Sequence, residues 1–513
     1  IVCRDAALRD LYRARYPESA QRQFALGAPF TERFFELGVH GGFVGLINSN
    51  SFIKREFGKG LVEKVLTRLD LTGVVDTSGA FIPGHVTPTV ILLGLNQKRK
   101  ADSVRAVLGR RGEPETPADP AKGKVWSSIA DHVGDGAFEN DFVTITDLSR
   151  ATLSKHPWSL GGGGAGELKE LIEARCEKRL DALVDGIGRS THTGDDEAYF
   201  VPHGATLRLG FTEREAVPLV KGEQIRDWQI GDDEWCLFPY DVKSAEPVKP
   251  QGAPARHYWC LRANLRNRQD YGEKIEQRVV AGRRLQWFEH SMFFPERFKT
   301  PLSIAFAFIA THNHFVLERG SKVFNRSAPM IKLPATATEE DYLALLGWLN
   351  SNAVCFWMKT VCYPKATTNS DISTERGRPE ANRYEFAGTA IEQMPIPETV
   401  MPGLVRTSLI RLSRRIEDIA IMRANSAPSV ILAYWTGTSA SALRAAFEGA
   451  EATANRCLRA LVVLQEELDW HFYAALGLCD PVGSVEGGAD PDQRPFLWPH
   501  SEPPGSLDSS LRE

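Results

Sequence analysis

The chain has 513 residues, of which 42% are hydrophobic and 25% are charged, and its formal net charge at pH 7 is −4. These values are typical of a globular chain with three or four domains, and the slight acidity excludes a protein that packages nucleic acid without regard to sequence. Specific DNA binding stays open, because it needs only local basic surface and a few phosphate contacts.

The cysteines and the apolar stretches indicate a cytoplasmic protein. The eight cysteines are scattered, without a CxxC pair or the Cys/His spacing of a zinc site, so we expect reduced thiols. The longest apolar stretch, residues 304–310, is far too short to span a membrane. No signal peptide is present, and the chain begins with Ile1 rather than Met, so we expect it to start inside a longer protein.

Helix and strand signals alternate over the first hundred residues. Amphipathic helices and apolar β-branched runs follow one another, and the last two strands are joined by a loop longer than a tight turn. This order predicts the second half of a doubly wound α/β domain that ends in an antiparallel edge pair of strands. The predicted helices cover residues 5–15, 24–39 and 52–66, and the predicted strands cover residues 43–47, 71–75 and 89–95.

The first half of such a domain is missing from the sequence. No glycine-rich turn follows a strand with an acidic residue about 20 positions further on, as a nucleotide or S-adenosyl cofactor would require. We therefore expect the cofactor-binding motif, if there is one, to lie upstream of Ile1.

Three motifs in this region carry a family resemblance. They are Gly-Leu-Ile-Asn-Ser-Asn-Ser-Phe at residues 45–52, Lys-Arg-Glu-Phe-Gly-Lys at residues 54–59, and residues 75–92 with Gly-Ala-Phe-Ile-Pro-Gly-His and Thr-Pro-Thr-Val-Ile-Leu. They resemble gamma-type, adenine-specific DNA methyltransferases, in particular the PglX-type enzymes of the phage-growth-limitation (BREX type 2) defence system. In that family an Asn-Pro-Pro-Tyr catalytic motif and the glycine motif for S-adenosyl-L-methionine lie upstream, and neither is present here.

The resemblance implies an α/β fold class: the C-terminal half of a Rossmann-like methyltransferase domain, a mixed α/β target-recognition domain and a helical C-terminal region. The expected domains are the C-terminal part of the catalytic domain (1–115), a linker and helical connector (116–215), the target-recognition domain (216–400), and a helical region with a loop-rich tail (401–513). No catalytic residue is expected in this chain, and no metal is implied.

One residue of the catalytic domain, Phe81, is carried over by the resemblance. In gamma-type enzymes an aromatic residue at this place in the pattern stacks on the adenine that is flipped out of the duplex. An aromatic face can return about 1–3 kcal/mol of the stacking that the extruded base loses. Without the resemblance, a buried loop anchor is the commoner role for such a phenylalanine.

Between the predicted domains the composition turns polar and glycine-rich. Basic residues at 98–111 precede a Pro/Glu linker, and a solvated charge run explains them more often than phosphate contact does. The four glycines at 161–164 precede a helix predicted over residues 167–183. Their N–H groups suit a phosphate, but the Gly-Lys-Ser/Thr of a P-loop is absent, so a flexible junction is favoured.

The predicted DNA-reading part begins near residue 217. Residues 218–228 resemble the opening of target-recognition domains in restriction-modification enzymes, and later motifs at 322–329, 345–359 and 384–397 follow in the same order. Residues 259–298 are rich in arginine and aromatics. Arginine suits phosphate and guanine edges, whereas interleaved aromatics are more often core. The predicted DNA-binding residues are Lys221, Arg226, Arg262, Arg266, Arg283 and Arg284.

Apolar spacing predicts long helices over residues 404–422 and 441–476. Glu466, Glu467 and Asp469 form a carboxylate cluster without the arrangement of a nuclease motif, which favours a solvated helix face.

Two classes of function follow. The resemblance implies a phage-defence methyltransferase acting on adenine N6 of double-stranded DNA, with other defence components as partners and no membrane association; this chain supplies base stacking and DNA recognition. The alternatives are a DNA-binding specificity module without catalysis of its own and part of a fused, type IIG-like restriction-modification enzyme.

Overall fold

The structure, a computed structural model, divides into two compact units. The described residues within 1–174 and 356–390 form the first unit, and those within 175–355 and 391–513 form the second. Residues 356–390 thus pack with the first unit although their sequence lies in the predicted target-recognition domain. The division into four domains, at residues 1–115, 116–215, 216–400 and 401–513, stays a prediction. The described residues are 5–84, 87–226, 228–231, 234–270, 272–320, 322–365, 383–400, 406–437 and 439–480.

A six-stranded sheet forms the core of the first unit, built from β1 (Phe43–Ser49), β2 (Leu69–Asp76), β3 (Thr89–Lys98), β4 (Ser103–Gly109), β5 (Phe138–Glu139) and β6 (Val143–Ser149). Their order is β1-β3-β2-β4-β6-β5, and β2 and β4 are the parallel neighbours. β1 and β2 are both antiparallel to β3, so they run in the same direction with β3 between them. The three predicted strands and the antiparallel pairing of the last two are confirmed, but the prediction that this pair forms the edge was wrong, because β1 and β4 flank it within the sheet.

Both faces of this sheet are covered. Successive residues of a strand point to opposite faces, and the neighbours Val74 and Val75 belong to different buried clusters. Val74 packs with Phe35 and Leu61, whereas Val75 packs with the buried residues of the helix Lys124–His132. The α-helices of this unit are Ala6–Arg15, Gly27–Leu37, Ser51–Lys54, Lys124–His132, Arg150–Leu153, Ala165–Ala174, Asn352–Val361 and Gly388–Ile391, the last two crossing the unit boundary.

The helix predicted over residues 52–66 is interrupted. A short α-helix at Ser51–Lys54, a 3₁₀ turn at Glu56–Gly58 and a π-helical turn at Leu61–Leu66 take its place. Gly58 explains the break, because a Cβ atom there would lie 1.8 Å from the carbonyl oxygen of Phe52. The backbone therefore folds back on itself more tightly than a regular helix allows.

The segment after β3 continues the sheet instead of linking two domains. β4 and β6 pair antiparallel along their whole length, and β5 adds the edge. The glycines at 161–164 are held against this sheet: Gly162 donates its N–H to Gly109 O at 3.0 Å, and Gly163 donates to Thr144 Oγ1 at 3.1 Å. The flexible junction expected there is thus anchored, and the following helix ends at Ala174 rather than near residue 183.

The second unit contains two four-stranded sheets. One has the order Phe200–Pro202, Glu234–Leu237, Ala216–Val220, Val323–Phe324, and the other has the order Phe315–Glu318, Ser303–Phe306, Met330–Lys332, Gly186–Gly188. The remaining described strands of the unit are short: Lys178–Arg179, Thr191–His192, Ile225–Arg226, Gln229–Ile230, Gln269–Asp270, Glu273–Lys274, Val279–Val280, Arg283–Arg284, Met292–Phe293, Ile309–Ala310 and Pro395–Ile396.

Helices close the second unit, and its C-terminal part is helical as predicted. The helix at Glu339–Leu349 is buried along most of its length. The apolar block at residues 345–358, from which one buried helix is predicted, is thus buried in its first part and is divided between this helix and Asn352–Val361. The described helices are Asp196–Tyr199, His203–Leu209, Gly252–Asn267, Pro295–Lys299, Glu339–Leu349, Thr407–Asn425, Pro428–Ala433 and Ala440–Ala475. The tail predicted as a loop, residues 481–513, lies outside the described residues.

The carboxylates at 466–469 do not form a solvated face. Glu466 is 4% exposed and Asp469 is 3% exposed, so that prediction was wrong for both. Asp469 accepts hydrogen bonds from the backbone N–H and the side-chain amide of Asn352, at 2.6 and 2.8 Å. Asp469 therefore joins the helix Ala440–Ala475 to the start of the helix Asn352–Val361.

The described cysteines are all free thiols. No helix within the described ranges is long and apolar enough to cross a membrane.

Candidate nucleic-acid interface

Phe81 lies in the loop between β2 and β3. Hydrogen bonds close the base of this loop: the hydroxyls of Thr77 and Thr89 are 2.7 Å apart, and Ala80 donates its N–H to Thr77 O at 3.1 Å. The Phe81 side chain is partly exposed, whereas the preceding Ala80 is buried. A partly exposed aromatic side chain on a loop with a closed base suits a stacking surface, and the stacking role itself stays a prediction.

Charged side chains gather at the same edge of the sheet. Because β1 and β2 run in the same direction, Lys54, just after β1, and Asp76, at the end of β2, lie at one edge. Burial lowers the pKa of Lys54 to about 8; Cys362 and Asp76 oppose that shift, and the like charge of Lys169 adds to it. Burial raises the pKa of Asp76, partly offset by hydrogen bonds from Ser78 and by the Lys54 charge.

Arg55 ties a hairpin to this edge. The strands Tyr363–Lys365 and Arg383–Glu385 pair antiparallel, with Tyr363 directly opposite Glu385. Arg55 Nη2 lies 2.9 Å from Glu385 Oε2, and its guanidinium carbon lies 4.4 Å from the centroid of the Tyr363 ring. One arginine therefore contacts both strands of the hairpin, in a segment that sequence analysis assigned to DNA recognition.

Three of the six predicted DNA-binding residues are engaged within the protein. Lys221 forms an ion pair with Glu234, and Arg226 Nη1 donates to the carbonyls of Gly222 and Ile225 at 2.7 and 2.6 Å. Arg283 makes a two-pronged ion pair with Glu289, at 2.7 and 2.8 Å, and the Glu289 side chain is fully buried. These contacts stabilise local structure and leave fewer donors for DNA.

The other three predicted residues are exposed. Arg262 and Arg266 lie on the helix Gly252–Asn267, and Arg284 lies on the short strand Arg283–Arg284. The Arg266 contact with Glu276 is long, at 4.0 Å, and solvent weakens such a pair. Arg262 Nη1 donates to the carbonyl oxygen of Trp259 at 2.8 Å, and the other donors of these exposed arginines stay available for phosphate or base edges.

Two tryptophans, Trp259 and Trp287, contact these arginines. Sequence analysis had treated the aromatic residues of this segment as more often core. Trp259 is 56% exposed; the Arg262 guanidinium lies 4.5 Å from its ring centroid and the Arg266 guanidinium lies 5.6 Å from that of Trp287. We call Trp259, Arg262 and Arg266 the basic helix face. The spacing of three and four residues between them was the available signal, because such positions share one side of a helix.

Comparison with curated proteins finds methyltransferases. The chain is 37% identical over 493 residues to the adenine-specific methyltransferase PglX of Streptomyces coelicolor. The alignment covers 92% of this chain and 39% of PglX. The resemblance to PglX-type enzymes is confirmed. The chain is also 25% identical over 366 residues to the type II methyltransferase M.XhoI of Xanthomonas vasicola, which covers 69% of this chain and 61% of M.XhoI. It thus spans 39% of PglX and 61% of M.XhoI, less than two thirds of either relative.

Solved structures that align with the chain are restriction-modification enzymes. The type IIL enzyme MmeI in complex with DNA aligns with 89% of this chain and 49% of its own, at 11% identity and a TM-score of 0.45. The type ISP enzyme LlaBIII bound to DNA aligns with 82% of this chain and 28% of its own, at 10% identity and a TM-score of 0.40. Comparison with known protein-family profiles found no match.

Proposed function

We propose that the chain is the base-stacking and DNA-recognition part of an adenine-specific DNA methyltransferase of a phage-defence system. The observation that carries the proposal is the 37% identity to PglX across 92% of the chain. The complete enzyme would transfer a methyl group from S-adenosyl-L-methionine to N6 of a flipped adenine in double-stranded DNA. Other defence components are proposed partners.

The first unit would supply the second half of the methyltransferase sheet. β1 is an edge strand in the described sheet, so one side of its backbone is unpaired there. Large apolar side chains are exposed on and beside it, including Phe43 at 88% and Ile47 at 58%. Contiguous apolar surface beside a sheet edge is typical of a face that another element covers. We propose that the cofactor-binding half of the sheet pairs with β1.

None of the described residues is assigned to the cofactor. No described strand runs directly into a glycine-rich turn and a helix, which is the arrangement that would hold S-adenosyl-L-methionine. The cofactor supplies the methyl group when it is bound, and this chain's own contribution at the reacting end is Phe81. Its ring would stack on the extruded adenine and hold the base in place for the transfer.

The second unit would read the target sequence through the basic helix face and Arg284. Arg262 over Trp259 is a preorganised donor, because the cation–π contact and one hydrogen bond to the Trp259 carbonyl oxygen restrain the guanidinium and leave its other donors for DNA. The engaged residues Lys221, Arg226 and Arg283 would support this surface from within. The target sequence is a matter for experiment.

The proposal is tested with two proteins, the 513-residue chain and a longer protein that joins it to the upstream half of its own gene product. We expect the chain alone to bind duplex DNA without transferring methyl groups. The longer protein should produce N6-methyladenine from labelled S-adenosyl-L-methionine. DNA binding by both proteins without methyl transfer by either would favour a specificity module, and DNA cleavage by the longer protein would favour a type IIG-like enzyme.

A further inference from the structure

Lys54 is a cation without a counter-ion at the edge where the base would be held. Within the part of the chain that the structure describes, it donates no hydrogen bond and forms no ion pair. Its side chain is partly exposed, so the ammonium group has access to solvent from the edge of the sheet. A cation in such surroundings is costly unless an anion accompanies it.

The neighbours of Lys54 do not supply that anion. Lys169 has its own partner, since its Nζ lies 2.9 Å from Glu173. The carboxylate of Asp76 accepts the backbone N–H of Ser78 at 2.9 Å and influences Lys54 only from a distance. Burial raises the pKa of the Cys362 thiol to about 12, so that group is neutral near pH 7. With Lys169 neutralised by Glu173, Asp76 is the carboxylate left near Lys54, and among the described residues it forms no ion pair with it.

Arg55 holds the backbone beside Lys54 in place. Its contacts with Glu385 and Tyr363 occupy the adjacent side chain and fix the end of the helix Ser51–Lys54. Lys54 is consequently presented by a restrained segment, so little backbone freedom is lost when it binds a ligand.

We propose that Lys54 binds a phosphate oxygen of the DNA backbone beside the flipped adenine. The inference rests on the proposed function, because it takes the strand that carries the target base as the source of the phosphate. A phosphodiester is the ligand that fits: it is a permanent anion near pH 7, and one ammonium group can donate to it directly. A phosphate contact would fix the register of the strand while Phe81 holds the base.

The test is the salt dependence of duplex binding by the 513-residue chain, measured by fluorescence anisotropy. The logarithm of the affinity falls with the logarithm of the salt concentration by about 0.9 for each phosphate neutralised. Lys54→Met should reduce that slope by about one contact and weaken binding at low salt. Lys64→Met is the matched control, because Lys64 lies on the same segment and is exposed; its slope should equal that of the wild type.

The pH dependence of DNA affinity in Lys54→Arg provides a second test, in which the positive charge is kept and not removed. Arginine stays charged above pH 9, whereas Lys54 loses its proton near pH 8 if no anion is bound. The charged and titratable groups that face it are Asp76, Lys169 and Cys362. Wild-type affinity for DNA should therefore fall between about pH 7 and about pH 9, and the affinity of Lys54→Arg should not.

Three outcomes would overturn the inference, and they differ in whether the proposed function is overturned as well. An unchanged salt slope in Lys54→Met, with normal DNA binding by the wild type, removes Lys54 from the DNA contact and leaves the proposed function intact. Displacement of DNA by inorganic phosphate at matched ionic strength, lost in Lys54→Met, would assign the site to free phosphate. Absence of any DNA binding by the wild type would remove the proposed function and this inference together.

Discussion

Phe81 is the single residue on which the proposed chemistry depends most within this chain. In a protein that also carries the catalytic half, Phe81→Ala should lower the methylation rate by about 10- to 100-fold, since stacking on a base is worth about 1–3 kcal/mol. Duplex affinity should stay nearly unchanged, because the hydroxyl contact of Thr77 with Thr89 still closes the base of the loop. Phe81→Trp, which keeps an aromatic face, is the control, and an unaltered rate in Phe81→Ala would remove the residue from the site.

Two arginines predicted to bind DNA should behave differently when each is replaced by alanine. Arg262→Ala removes a donor from the basic helix face, so duplex affinity should fall by about 3- to 10-fold with little loss of stability. Arg283→Ala leaves the fully buried Glu289 without its partner, so we expect a loss of about 1–3 kcal/mol in the free energy of unfolding. Anisotropy and chemical denaturation separate the two effects. Equal stability losses in both variants would contradict this division.

Asp469 should make stability depend on pH. Burial raises its folded-state pKa to about 7, and an unfolded aspartate titrates near 3.9. A group whose pKa is raised on folding stabilises the protein below its unfolded pKa, and this contribution is lost as pH rises through the folded pKa. Wild-type stability should thus decline from about pH 4 to about pH 7 more than that of Asp469→Asn, measured by urea denaturation. Parallel pH curves for the two proteins would show that Asp469 titrates normally.

At the scale of elements, β1, β2 and β3 were predictable, whereas the long crossover between β1 and β2 was not. The strands β4, β5 and β6 were also missed, and β4 lies within the basic residues 98–111 that were interpreted as a solvated charge run. Residues 43–47 and 89–95 carry continuous apolar runs bounded by polar turns, which identify strands locally. The helix over residues 52–66 also has the right apolar spacing, but Gly58 brings the backbone against Phe52 and breaks it. A close backbone approach of this kind depends on three-dimensional packing and leaves no periodic signal.

That close approach makes Gly58 intolerant of a side chain. Gly58→Ala would set a Cβ atom 1.8 Å from a backbone oxygen that cannot move away alone, so we expect a loss of about 2 kcal/mol or more in stability. Gly134→Ala is the control, because nothing lies within 4 Å of the Cβ position there. Thermal unfolding of the two variants gives the comparison. A melting temperature equal to that of the wild type in Gly58→Ala would contradict the packing at this turn.

Other elements were mispredicted because their partners are distant in sequence. The helix expected to reach residue 183 ends at Ala174, and the chain then enters the strand Lys178–Arg179. That strand pairs with Pro395–Ile396, more than two hundred residues further on. The candidate site shows the same limit: the resemblance identified Phe81, while the contact of Arg55 with Tyr363 and Glu385 joins positions about three hundred residues apart.

At the scale of the whole molecule, the path of the chain and the division into units do not coincide. The chain leaves the first unit after residue 174, returns to it at residue 356, and leaves it again after residue 390. Sequence analysis followed the order of the motifs and placed residues 216–400 in one recognition domain. It could not detect the return to the first unit, because motif order along a chain says nothing about which unit a motif packs with. The returning hairpin carries recognition-like sequence and rests on the Lys54 edge of the first sheet.

This path limits how new target specificities could arise by exchange between related genes. A recombination event that replaced one continuous stretch from residue 175 onwards would also replace the hairpin, and with it Glu385, the partner of Arg55. Productive exchange would need two further junctions, one on each side of residues 356–390, or a donor whose hairpin already matches the recipient's arginine. Inheritance of specificity in this group would then follow discontinuous blocks of sequence.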